Sequence, residues 1–246
     1  MFDGILPVVA GSRRTCVNWQ FAQAGRYSRQ HAAFRPLTKP VMQLPGNRLG
    51  YGAFMRALLV ALFEWVENGI APPNSRFPSR AAGTLVRLAA AREAFPKLSN
   101  VNFPTVLNEL RLRDHSVEPP TESTAYPVFV QSTDADGNAL GGIRHPLITV
   151  PLATHAGWSL RASGYGEGEL FTIQGSMVPF AETEAERQRT RDPRPSREMR
   201  YATRDAWTAR LVDAVDRLVA ERLLLAEDGD RLIAAARETW DVYQAL

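Results

Sequence analysis

The chain has 246 residues, 45% of them hydrophobic and 22% charged, with a formal net charge of +3. That apolar content excludes wholesale disorder, the small charge demands no nucleic-acid partner, and no apolar run approaches the ~20 residues that a membrane span needs. Cys16 is the single cysteine, which excludes an internal disulfide framework.

The first residues read as a buried strand, Ile5 to Ala10, with no basic n-region and hence no signal peptide. A domain rarely opens so abruptly, so an upstream segment is expected. Residues 12–47 are polar and broken by Pro36, Pro40 and Pro45, which predicts loop with short elements. A helix is predicted over 51–69, where Phe54, Leu58, Ala61, Leu62, Trp65 and Val66 recur at helical spacing. Met55, Leu59 and Phe63 widen its apolar face, so the helix is expected to be largely buried, with Arg56, Glu64 and Glu67 at its edge. Gly69 and Pro72-Pro73 supply its stop.

Residues 70–125 are proline-broken, and both Thr84–Ala94 and Val101–Leu112 fit strand or helix equally. Residues 126–155 read as a hairpin region: Tyr126–Val130, a turn at Asp134–Asn138, then Ile143 and Leu147–Val150 as the return. Residues 156–182 form a glycine-rich loop region carrying Trp158, Tyr165, Phe171 and Phe180. The densest run of basic residues, Arg187 to Arg200, is interleaved with Glu182, Glu184, Glu186, Asp192 and Glu198, the pattern of a solvated surface segment. From residue 195 the chain is helical. A long helix runs from about Arg204 to Leu225, and a last one covers Arg231 to Ala245 after Asp228 and Asp230.

No motif in the residues identifies a catalytic site. Asp134–Asn138 falls short of a calcium loop because His145 stands where a bidentate glutamate is required. Gly164–Gly168 leads into the extended-looking Glu169–Ile173 rather than into a helix, so it is not a dinucleotide fingerprint. His31, His115, His145 and His155 lack the spacing of zinc hydrolases, and no metal or cofactor is expected. Ser12, Ser159, Ser163 and Ser176 each have one neighbouring glycine, but none sits at a strand-to-helix elbow. Cys16 reads as structural, and an unrecognised enzyme site around Cys16 or His155 stays open as an alternative.

Four stretches in one order resemble the alpha/beta-hydrolase-domain proteins of bacteria, a serine-hydrolase-like family. They are Phe2–Gly11 with Phe21–Arg26; Leu44–Asn47 running through Leu58–Leu62 and Trp65-Val66 to Pro72–Pro78; Asp134–Asn138 with Gly142–Arg144, Val150–Thr154 and Gly157-Trp158; and Pro179–Ala181 with Asp192–Ser196 and the terminal helices. The resemblance implies an α/β fold. It is an incomplete alpha/beta-hydrolase-like domain over 1–246, with a partial sheet, a hairpin region and C-terminal helices. It also implies that the family's serine elbow lies upstream of Phe2, and that the stretch carrying the catalytic base is deleted between His31 and Gln43. No catalytic residue is therefore carried over. Intact relatives are expected to hydrolyse a small ester or acyl substrate, and this chain is expected not to. The alternative is a non-catalytic protein that binds a ligand or a partner chain. If the family fold persists, His155 and Trp158 line the substrate cleft; the competing arrangement has Trp158 simply packing over the core.

Overall fold

The computed structural model describes residues 41–47, 49–107, 110–171 and 175–243. The predicted strand Ile5–Ala10, the His31–Lys39 stretch and Cys16 lie outside them. Helix α1, Gly52–Asn68, forms where the apolar spacing predicts it. Gly69 ends it in the left-handed region (φ 69°), and the Gly69 and Ile70 amides donate back to the Trp65 and Glu64 carbonyls.

Only part of α1 is covered. Phe54, Ala57, Leu58 and Ala61 are buried, whereas Met55, Leu59, Leu62, Phe63 and Val66 are exposed, Val66 to 75%. The expected burial of the whole helix is thus corrected. Its apolar residues run nearly all round, and only one stripe meets the C-terminal helices. Glu64 lies inward enough to pair with Arg222 of the loop after α6.

Thr84–Ala94 splits between the two expected forms: strand β1, Leu85–Arg87, runs straight into helix α2, Leu88–Ala94. Strands β2, Arg111–Asp114, and β3, Thr121–Ala125, make an exposed antiparallel pair. Strand β4, Phe129–Gln131, pairs with β1 and not with the expected return segment. The turn at Asp134–Asn138 does close a minimal hairpin through the Thr133–Ala139 bridge. Beyond it Leu147–Val150 is not a strand. Pro146 takes the first position of a single helical turn, α3 (Pro146–Thr149), and His145 Nδ1 accepts the Leu147 amide.

Strands β5, Ala153–Ala156, and β6, Ser176–Pro179, pair antiparallel with His155 opposite Met177. Every residue of β5 is buried. Helices α4 (Glu184–Thr190), α5 (Arg197–Arg200), α6 (Arg204–Ala220) and α7 (Ala226–Val242) follow. Thr183, Ser196 and Thr203 cap the first three by accepting a backbone amide. The fold is of mixed α/β content, and the strand pairs among the described residues are three antiparallel two-stranded units.

Helix α6 ends at Ala220, short of the expected Leu225. Arg222 turns left-handed (φ 59°), which drives Leu223 and Leu224 into the core beside Phe54 and Leu58. Helix α7 then starts five residues earlier than expected, with Glu227 and Asp228 in its first turn. The main core packs Trp207, Leu211 and Ala214 of α6 against β5, Met177, Tyr201 and Ala236. The Trp207 indole is fully buried and donates to the Val150 carbonyl at 3.2 Å.

The charge-mixed stretch at 182–200 is a solvated surface only in part. Arg194 and Arg197 are buried to 2% exposure. Interleaved charge looks the same in sequence whether a guanidinium faces water or a ring of acceptors, and Arg194 faces acceptors. It binds Asp192 through two nitrogens, the Thr154 hydroxyl at 2.7 Å, and the Val178 and Pro179 carbonyls at 3.0 Å each.

Candidate functional site

The alternation of a strand sends Thr154 and His155 of β5 to opposite sides. Thr154 faces the Arg194 network. His155 is wholly buried on the other side. Its place is set by three neighbours from distant parts of the chain. Asn138, in the turn after β4, borders β5 as a strand would: its side-chain oxygen accepts the His155 amide at 2.8 Å and its amide donates to the Ala153 carbonyl at 3.1 Å. The Pro45–Asn47 segment runs beside β6, with the Asn47 amide donating to the Gly175 carbonyl and the Met177 amide to the Pro45 carbonyl, both at 2.8 Å. Gly175 permits this approach, because a Cβ there would run into the Ala156 carbonyl. Asn47 Oδ1 consequently lies 3.3 Å from His155 Nδ1.

An amide oxygen can only accept, so this contact assigns the imidazole proton to Nδ1. The Nε2 lone pair is then an acceptor. It is buried and has no donor among the described residues. Burial pushes the His155 pKa down to about 3, with the nearby His145 adding to the effect. Burial alone pushes His145 down to about 4. Both rings are neutral at physiological pH.

Chemically, an imidazole oriented by an asparagine oxygen with Nε2 open is one half of a nucleophile–base pair. Among the described residues no nucleophile half stands beside it. Ser176 Oγ donates to the Trp158 carbonyl at 2.7 Å, and Ser159 Oγ is buried with no hydrogen-bond partner, His155 included. A base with a pKa near 3 is also poorly matched to proton abstraction at neutral pH.

Trp158 lies three residues on, half-buried, in a cluster with Phe95 and Phe103 at ring separations of 5.9 and 5.5 Å. Local sequence brought His155 and Trp158 together as a pair. Structurally one is sealed in a polar pocket of the core and the other packs among aromatics of the segment that follows α2. The partners Asn47 and Asn138 were not singled out as site residues, and the signal that could have found Asn47 is a contact across 108 positions. The glycine loop makes successive turns at Gly164, Gly166 and Gly168, after which Leu170 bridges back to Leu160, so no helix receives a phosphate there. Among the described residues no group of three or more metal-ligating side chains comes together, and no helix is long and apolar enough to cross a membrane.

A family model described as alpha/beta hydrolase domain matches residues 8–234. No curated protein and no solved structure matches the chain.

Proposed function

The chain belongs to the alpha/beta hydrolase domain family, and from that premise we propose that these 246 residues form a single hydrolase-like domain that does not itself hydrolyse esters. Serine-type acyl transfer requires a nucleophile in hydrogen-bond reach of a base, and donors for the oxyanion. The observation that carries the reading is the state of His155: oriented by Asn47, depressed in pKa, and without a hydroxyl on Nε2 among the described residues. In relatives able to hydrolyse, the substrate is a small ester or acyl compound, and the loop from His155 to Trp158 lines its cleft. Turnover of p-nitrophenyl acetate by the folded chain tests this. The expected rate is that of the buffer background; saturable turnover that disappears in His155→Gln refutes it.

The outer face of α1 favours a second reading, in which the chain works through a partner chain. Phe63 and Val66 expose 54% and 75% of their surface on that face. Sedimentation of the chain and of a Phe63→Glu/Val66→Glu variant separates the readings: a self-associating chain made monomeric by the pair supports the second.

A further inference from the structure

On the side of β5 away from His155, a cavity of about 300 Å³ opens between the Asp134–Asn138 turn, α3, and the start of the C-terminal helices. It brings three guanidinium groups, from Arg144, Arg200 and Arg210, to one wall system with two carboxylates, Asp134 and Asp136. Both carboxylates are already committed. Asp134 accepts Arg144 at 2.9 Å and the Asp136 and Asn138 amides at 3.1 and 2.9 Å. Asp136 takes both terminal nitrogens of Arg200. Arg200 in turn lies flat against the Phe180 ring, 4.2 Å from its centroid, and donates to the Pro195 carbonyl.

Arg210 is the charge left over. No carboxylate among the described residues pairs with it, and its guanidinium stands 5.6 Å from the centre of the Tyr201 ring. Arg144 is committed to Asp134 and to the Ile148 carbonyl, so it fixes the wall of the cavity rather than adding an open donor. The cavity therefore has an excess of one positive charge, carried by Arg210, and its accessible wall is mostly polar, with Pro151 and the edge of the Tyr201 ring as a small apolar share. A cation gains nothing there, because the carboxylate oxygens are neutralised. A group with two negative charges would exceed the cationic surplus in front of Asp134 and Asp136. A planar oxyanion with one charge matches both the count and the fork geometry of arginine.

We propose that this cavity is a binding site for a small organic monocarboxylate, held by Arg210 and positioned beside the fixed Arg144–Asp134 and Arg200–Asp136 pairs. The volume sits at the small end of ligand cavities, which suits a carboxylate with one ring or a short chain. The site does not depend on the hydrolytic status of the chain.

Calorimetric titration of the full chain with sodium benzoate, at constant ionic strength set with sodium chloride, tests it. Saturable binding is expected, weakened roughly tenfold or more by Arg210→Ala. Arg189→Ala on the exposed face of α4 should leave binding unchanged. Arg210 is solvent-exposed on α6, so its variant is expected to fold, which circular dichroism verifies. Absence of saturable benzoate binding, equal binding by wild type and Arg210→Ala, or tighter binding of inorganic phosphate at pH 7.5 would each overturn the proposal.

Discussion

Replacing Arg194 with methionine is the most direct probe of how β5 is held. The side chain is 1% exposed and donates to a ring of acceptors: both oxygens of Asp192, the Thr154 hydroxyl, and the Val178 and Pro179 carbonyls. Methionine keeps the length of the aliphatic stem but none of those donors, and it loses the guanidinium that lies over the Phe180 ring. Asp192, itself only 11% exposed, loses its paired cation and keeps only the backbone amide of residue 194 as a donor from that position. Breaking one side of a buried pair costs about 3–5 kcal/mol. Against a total stability of roughly 5–15 kcal/mol, that is a large share. For a chain of this length the melting midpoint should fall by about 6–20 °C. Urea and thermal melts followed by circular dichroism measure it, with Arg189→Ala as the surface control, expected within about 0.5 kcal/mol. Adding Asp192→Asn to the methionine variant removes the stranded charge and should recover part of the loss. A single variant within about 1 kcal/mol of wild type would refute the assignment of Arg194 as the clamp on β5 and β6.

Acid should destabilise the chain from a higher pH than carboxylates alone would cause. His145 and His155 have folded pKa values pushed below the ordinary 6.5, to about 4 and about 3, so between those limits the unfolded chain binds more protons. Their contribution is whole above pH 6.5 and is lost as pH falls toward 4, about 2 kcal/mol per histidine by pH 5. Urea midpoints at pH 7.5, 6.5, 5.5 and 5.0 check it, and His155→Gln should flatten the slope; a level profile over that window contradicts it. Gly137→Ala should cost about 2–4 kcal/mol, because φ is +79° and the new methyl would stand 2.9 Å from both Phe95 and Thr154. Denaturant midpoints read that loss, and a neutral effect would mean that the turn repacks freely. Trp207→Phe should cost about 1–3 kcal/mol by stranding the buried Val150 carbonyl, measured in the same way.

Sequence made the helices legible and their partners much less so. The period of α1, its Gly69 stop and the stripe of α6 all follow from local spacing. Which side of α1 is covered does not, because apolar residues surround it and only contact with Leu223 and Leu224 selects the Phe54–Leu58 stripe. The same limit hid the break after Ala220: Leu223 and Leu224 continue an apolar pattern while Arg222 turns the backbone left-handed. Leu147–Val150 has the composition of a strand, yet a proline at the first position and a histidine cap make one helical turn. The buried arginines at 194 and 197 sit in a stretch whose alternating charge reads as solvated. For the candidate site, His155 was visible as a residue, but its environment was not. Asn47 and Asn138 reach it from 108 and 17 positions away, and no local pattern encodes either contact.

The central claim is that this chain, though a member of a hydrolase family, holds no activated serine. Treating the purified chain with a fluorophosphonate, reading intact mass, and confirming folding by circular dichroism tests it most directly. The account predicts a folded chain of unchanged mass. A single stoichiometric adduct on the folded chain, mapped to one serine, would contradict it.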